Sequence, residues 1–349
     1  IFTNNIDSSK GSNLLMNYIN PGPIKAAITA VGAYVPEEKL TNADLEQIVD
    51  TSDEWIVART GIRERRILKD PNKGTSYMAI MAAQEILNKS NLDPLEIDAV
   101  IVATITPDMN VAATAAYVAS EIGATNAFAY DLQAACSGFL YGMSNASNMI
   151  ACGRYKKVLL IGSDKMSSII DYSDRATCII FGDGAGGALF EPSDSGYGWE
   201  DEYLRSDGSG RMFLNIKGGG SLFPTSEKTL EDGMHNLYQD GKTVFKYAVS
   251  EMSNAVQQII ERNEIDREKI SYLVPHQANK RIIDAIANRI GLPFDKIMTN
   301  IEYFGNTTAA TLPLLLKDYE SKLSPGNRLV FTAFGGGFTW GAAYLTWAY

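Results

Sequence analysis

The chain has 349 residues, 45% of them hydrophobic and 21% charged, enough to bury a large core in two structural units and too many for a small stapled domain. Its formal net charge of −10 disfavours nonspecific contact with nucleic acid or anionic membrane, while leaving room for a local basic patch facing an acidic partner. No apolar run reaches the roughly 18 residues that span a bilayer, and Ile1 to Pro23 is a polar extension without the regions of a secretory signal, so a cytoplasmic protein is expected.

In chain order, an amphipathic helix with Ala82, Ala83, Ile86 and Leu87 on one face runs through Asn91-Leu92-Asp93 into the apolar strand Ala99 to Ala103. The pattern is written twice. Val256, Ile259 and Ile260 lead through Glu264-Ile265-Asp266 into the strand Tyr272 to Val274, and Ile86 and Ile259 lie 173 residues apart. Each half next has a helix ending in Ile-Gly, at Ile122-Gly123 and Ile290-Gly291, 168 residues apart. Each then closes with a helix, an apolar strand (Val158 to Ile161; Leu329 to Phe331) and a Gly-rich turn (Phe181 to Gly186; Phe334 to Gly337). Near-continuous apolar strands alternating with helices imply an α/β layered class with sheets covered on both faces. Residues 24–195 and 196–349 are read as the two halves, with a Ser-, Asp- and Gly-rich stretch without periodicity from Pro192 to Asp207 at the boundary. The segment Gly208 to Lys242 reads as an insertion or flap.

The three cysteines, Cys136, Cys152 and Cys178, are far apart and form no CxxC pair, which argues against a disulfide framework and a zinc site. Cys136 follows the strand Ala127 to Leu132 and precedes a helical pattern running to Ile150. A thiol at such a strand-to-helix turn faces unpaired N–H groups and the positive end of the helix dipole, so a lowered pKa and a nucleophilic role are expected. A buried structural cysteine is the alternative; Cys152 and Cys178, in a helix end and an apolar run, are read that way. Only two histidines are present. His276 directly follows the strand Leu273-Val274-Pro275, at the end of a sheet where ligands collect, whereas His235 lies in a polar loop. Asn306 stands 170 residues after Cys136, at the corresponding point of the second half. Alone it reads equally well as a helix cap. Gly335 to Gly337 offer either a tight turn or N–H groups for an oxyanion. Phe181 to Gly186 lacks the context of a dinucleotide site.

Asp131 to Gly138 (DLQAACSG), Pro275 to Asn279 (PHQAN), Gly305-Asn306-Thr307 and Phe334 to Gly341 (FGGGFTWG) resemble the motifs of β-ketoacyl-acyl carrier protein synthase III, in the thiolase-like superfamily. Thr41 to Leu45, Asp50 to Arg65 and Phe181 to Gly186 extend the likeness, which runs in one order from about Ile24 to the C-terminus. It implies a five-layered αβαβα fold of two duplicated halves, a homodimer, and a catalytic triad of Cys136, His276 and Asn306. Other ketosynthases use a second histidine where this chain has Asn306. An oxyanion hole from the N–H groups of Cys136 and Gly336 is implied, with enolate donors from His276 Nε2 and Asn306. So are coenzyme A contacts from Thr51, Trp55, Arg59, Arg175, Gly241 and Phe245, and docking of acidic acyl carrier protein at Lys246, Lys280 and Arg281. Acyl-CoA and malonyl-acyl carrier protein are then substrates, and neither a metal nor a further cofactor is expected. Val111-Ala112 stands where many members carry Phe-Pro, with the ring closing the acyl pocket across the dimer, so a more open pocket is expected, unless Met109 or Tyr117 fills it. Three other readings share the fold: a Cys-His-Asn enzyme of secondary metabolism acting on CoA thioesters, a noncatalytic acyl-binding relative, and a thiolase. The last lacks the second cysteine expected near Gly335.

Overall fold

The computed structural model describes residues 24–349; the extension 1–23 lies outside the described residues. The first half builds a five-stranded sheet from β1 (Ala26–Tyr34), β2 (Ala99–Ala103), β3 (Phe128–Leu132), β4 (Val158–Asp164) and β5 (Gly184–Pro192), in the order β1-β5-β4-β2-β3. Central β2, Ala-Val-Ile-Val-Ala, is buried at every residue, as a strand covered on both faces must be. It runs parallel to β3 and β4, so the carboxyl ends of all three open at one edge.

The second half repeats the plan with β6 (Trp199–Ser206), β7 (Tyr272–Pro275), β8 (Arg328–Gly335) and β9 (Thr339–Thr346), ordered β7-β8-β9-β6. Strands β7 and β8 are parallel, and β9 is antiparallel to β8 and β6. A parallel bridge between Leu273 and Ile297 stands where β3 stands in the first sheet. The stretch read as lacking periodicity therefore contains a strand. Trp199-Glu200-Asp201-Glu202 hides this because β6 is an edge strand whose charges find partners: Glu200 with Lys25 at 2.8 Å and Asp201 with Arg262 at 2.6 Å.

Six helices complete the layers: α1 (Thr75–Ser90), α2 (Thr114–Glu121), α3 (Gly138–Ala151), α4 (Gly241–Arg262), α5 (Lys280–Ile290) and α6 (Thr311–Tyr319). Their starts and stops follow local chemistry. Asp131 caps α2 by accepting from Thr114 N (2.8 Å) and Ala115 N (2.7 Å), Asn279 caps α5, and Gly291 ends α5 at φ 72°. On the outside of the first sheet, Ala79, Ala83 and Ile86 of α1 and Val118 of α2 pack with Val100 and Val102. Between the sheets, Phe139, Leu140 and Met143 of α3 and Leu312, Leu315 and Leu316 of α6 share one core with Ile101, Leu160, Phe331 and Leu345. Outside the second sheet, Val256 and Ile259 of α4 and Ile283 and Ile286 of α5 cover Leu273 and Val330. The result is helix, sheet, helix, sheet, helix, the five layers expected. Among the described residues, no helix is long and apolar enough to cross a membrane.

The two halves pack main chain on main chain at Gly162 of β4, where an added Cβ meets the Ala309 carbonyl oxygen at 2.4 Å. Gly162→Ala therefore has to push main chain aside and is expected to lower the unfolding free energy by about 1–3 kcal/mol. Urea denaturation checks this; an unchanged midpoint contradicts the contact.

Candidate active site

Three segments from different elements meet at the strand ends. After β3 the chain makes a 3-10 turn, Ala135–Ser137, that feeds directly into α3, with Ala135 held at φ 47°. Cys136 sits in this elbow, 6% exposed. Its main chain is backed by Gly335 at the end of β8: an added Cβ there meets Cys136 N at 2.7 Å, so no larger residue allows the approach. Thr339 Oγ1 donates to Ala134 O (2.8 Å) and Ser137 Oγ to Thr339 O (3.0 Å), stitching the elbow to β9.

Asn306 follows Gly305, which takes φ 63°. The counterpart of the cysteine elbow is the 3-10 turn Thr308–Ala310, which opens on Thr308 at φ 50° as the first opens on Ala135 at φ 47°, so Asn306 stands just before the point that matches Cys136 and not at it, as the 170-residue spacing had suggested. Its main chain is clamped by Ile180 and Gly182, with Asn306 N donating to Ile180 O (2.9 Å) and Gly182 N to Asn306 O (3.1 Å). Its side-chain Oδ1 accepts from Thr308 N at 2.9 Å, so the amide hydrogens are the free end of the group. His276 is the first residue after β7, fixed by His276 N donating to Thr332 O at 2.8 Å, and is 1% exposed. All three side chains line one cavity of about 800 Å³, together with Gly336, Gly241 and Phe245.

The electrostatics correct the sequence-based expectation for the thiol. Burial, followed by the negative charge of Asp164, pushes Cys136 up to about 12 instead of lowering it. The N–H of Cys136 itself favours the thiolate, but Ser137 N and Gly138 N are spent on Ala134 O and Ala135 O, and a thiolate here loses its hydration and faces a carboxylate. Burial also pushes His276 down to about 3, so the imidazole is neutral at physiological pH. Its tautomer follows from hydrogen bonding. Thr311 Oγ1 lies 3.0 Å from Thr308 O and 2.8 Å from His276 Nδ1, and with its hydrogen on Thr308 O its oxygen accepts from Nδ1–H. Nε2 is then a lone pair. With that arrangement His276 offers an acceptor to the cavity, set by a neighbour 35 residues away.

The other expected residues divide. Trp55, on the helix Asp53–Thr60, is flanked by the guanidinium groups of Arg59 (5.3 Å) and Arg175 (4.9 Å), with Arg175 also donating to Asp50 O at 2.8 Å. Thr51 Oγ1 is buried without a hydrogen-bond partner. Lys246 and Arg281 are exposed, and Arg281 stacks on Phe245 at 5.4 Å. Lys280 is engaged elsewhere, paired with Asp284 at 2.7 Å. Val111 is fully exposed at φ 76°, beside exposed Met109 and Tyr117, and neither neighbour fills a pocket within this chain. His235 is exposed, as read from its loop. Sequence reasoning missed Asp164, Thr308 and Thr311, and the flap lies against the cavity through Leu214 and Leu237.

Two family models match: 3-oxoacyl-[acyl-carrier-protein] synthase III over residues 130–208 and its C-terminal domain over residues 260–347. A β-ketoacyl-[acyl-carrier-protein] synthase III from Bacteroides thetaiotaomicron is 53% identical over 93% of this chain and 97% of its own length. The chain belongs to the β-ketoacyl-[acyl-carrier-protein] synthase III family. Among solved structures of the family, the Thermus thermophilus synthase III is 43% identical, with a TM-score of 0.85 over 92% of this chain and 99% of its own. The Aquifex aeolicus synthase III is 39% identical, with a TM-score of 0.86 over 92% of this chain and 100% of its own.

With a synthase III thiol raised to about 12, the free enzyme's thiolate fraction rises about tenfold per pH unit through the neutral and mildly alkaline range. Alkylation of Cys136 by iodoacetamide, followed by intact mass, is expected to accelerate from pH 7 to pH 10 without levelling. A plateau below pH 8 contradicts the buried, neutral thiol.

Proposed function

We propose that the chain starts fatty acid synthesis by a decarboxylative Claisen condensation, joining an acyl group from acyl-CoA to malonyl-acyl carrier protein, with Cys136, His276 and Asn306 as its catalytic residues. What carries the reading is the convergence of a thiol, a neutral imidazole acceptor and an amide donor, from separate elements of both halves, on one cavity.

When acyl-CoA enters, the Cys136 S–H bond breaks, its proton passes to His276 Nε2, and the sulfur attacks the thioester carbon. The oxyanion sits between the N–H groups of Cys136 and Gly336. The C–S bond to coenzyme A breaks and the leaving thiolate takes the proton back from His276, leaving an acyl-enzyme and a neutral imidazole. Malonyl-acyl carrier protein then loses carbon dioxide, and the electron pair moves onto the thioester oxygen. Asn306 Nδ2–H holds that enolate. Its carbon attacks the acyl-Cys136 carbonyl, the C–S bond breaks, and the cysteine thiolate recovers a proton from solvent. The steps consume no metal or further cofactor.

The flanked indole of Trp55, with Arg59, Arg175 and Thr51, is suited to an adenine and its phosphates, and Gly241 and Phe245 to the pantetheine arm. Lys246 and Arg281 form the patch offered to acidic carrier protein, with Lys280 a lesser member because Asp284 neutralises it. The exposed apolar residues Met109, Val111, Tyr117 and Phe128 support a homodimer, and a cytoplasmic location goes with these substrates.

Cys136→Ala is expected to abolish acylation by acyl-CoA while Cys152→Ala and Cys178→Ala leave it nearly unchanged, read by intact mass. Asn306→Ala is expected to slow malonyl decarboxylation by roughly 10²–10³-fold and still to form acyl-enzyme. Acylated Cys136→Ala protein, or equal loss of both steps in Asn306→Ala, contradicts these assignments.

A valine at position 111 in place of a ring leaves the acyl pocket open across the proposed dimer. Isobutyryl- and octanoyl-CoA are therefore expected to acylate the wild type alongside acetyl-CoA, and Val111→Phe to restrict it toward acetyl. Wild type that accepts acetyl alone contradicts the open pocket.

A further inference from the structure

Thr308 is buried and lines the cavity, yet it holds φ 50°, a left-handed conformation that a β-branched residue rarely adopts. Its surroundings impose it. Thr308 Oγ1 donates to Asp164 Oδ2, and Ala309 N donates to the same oxygen at 3.2 Å. The other carboxylate oxygen of Asp164 accepts from Thr104 Oγ1 (2.9 Å), Ile105 N (2.8 Å), Thr106 N (3.2 Å) and Thr106 Oγ1 (3.0 Å). Asp164 itself is fully buried at the end of β4, with no cation in ion-pair distance among the described residues. A carboxylate so placed needs its donors, and it holds them firmly.

We propose that Thr308, fastened by Asp164, is the positioning residue of this site: it sets Asn306 to present hydrogens and His276 to present a lone pair. Its N–H holds Asn306 Oδ1 at 2.9 Å, which turns the Nδ2 hydrogens toward the cavity. Its C=O takes the Thr311 hydroxyl hydrogen at 3.0 Å, which leaves the Thr311 oxygen to accept from His276 Nδ1–H at 2.8 Å. One residue's main chain thus orients two side chains of opposite hydrogen-bonding character. The left-handed twist lets it do both, and the bond to Asp164 maintains the twist. The inference rests on the roles given to His276 and Asn306 above.

The test compares Thr308→Val, which keeps the β-branched shape and removes the anchoring hydroxyl, with Thr308→Ser, which restores it. Two readouts are taken. In Thr308→Val, kcat for malonyl decarboxylation is expected to fall roughly 10–100-fold with KM within about twofold, the size of effect that a small misplacement of catalytic groups produces. Thr308→Ser recovers most of the loss. The second readout is nitrogen-15 NMR of histidine-labelled protein in a His235→Gln background, where His276 is the sole histidine. Wild-type Thr308 is expected to give one neutral tautomer with the proton on Nδ1, and Thr308→Val a mixture of the two. A general loss of structure lowers activity equally in the serine and valine variants and does not select between tautomers. A proton on Nε2 in the presence of Thr308, or a Thr308→Val spectrum unchanged from that reference whatever its kcat, overturns the proposal. Undiminished decarboxylation by Asn306→Ala in parallel instead overturns the functional reading beneath it, because the imidazole spectrum judges Thr308 independently.

Discussion

A buried carboxylate at the seam between the two halves, Asp164, is the constraint from which the site's geometry follows. It accepts from the Thr104–Thr106 loop after β2 on one side and from Thr308 and Ala309 on the other. Donors from both halves must therefore be in place together, since a partly satisfied buried carboxylate is costly. Burial raises the pKa of Asp164 while the donors oppose that rise. The same carboxylate lies close enough to Cys136 to disfavour its thiolate. One group thus braces the segment that carries Asn306 and restrains the nucleophile.

The resting site is consequently neutral where its chemistry takes place. The thiol keeps its proton and the imidazole lacks one, both because burial penalises charge. Charge has to appear only when a thioester is present and the N–H groups of Cys136 and Gly336 have an oxyanion to hold. A neutral thiol inside a cavity is also a poor target for adventitious oxidation or alkylation, which suits a residue that waits between substrates. The hydrogen-bond network fixes which atom accepts a proton and which donates one, and the two half-reactions need those opposite characters in turn.

The architecture was legible in the sequence because its period is long and its punctuation regular. Buried apolar strands such as Ala99 to Ala103 and the repeated Ile-Gly helix ends report local requirements that a single chain displays. The shared backbone twist was legible in neither half: the matching 3-10 turns open on Ala135 at φ 47° and Thr308 at φ 50°, and neither residue type announces a left-handed conformation. Strand β6 was missed because an edge strand with paired acids reads like a linker. Asp164 was missed because it reads as the polar end of a strand, while its donors lie 60 residues before it and 144 after. The direction of the thiol's shift was misjudged for a related reason. Helix position is written in the local sequence, but depth of burial is a property of the closed fold.

The account's central claim is that one cysteine stores the acyl group and that condensation follows from that stored state. A single-turnover chase tests it most directly: acyl-enzyme made with isotopically labelled acyl-CoA, freed of coenzyme A, is mixed with malonyl-acyl carrier protein and followed by mass spectrometry. The account predicts that loss of label from the Cys136 peptide matches, mole for mole, the carbon dioxide released and the labelled 3-ketoacyl-acyl carrier protein formed. Label that stays on Cys136 while carbon dioxide is released, or product formed without passing through the labelled enzyme, would contradict it.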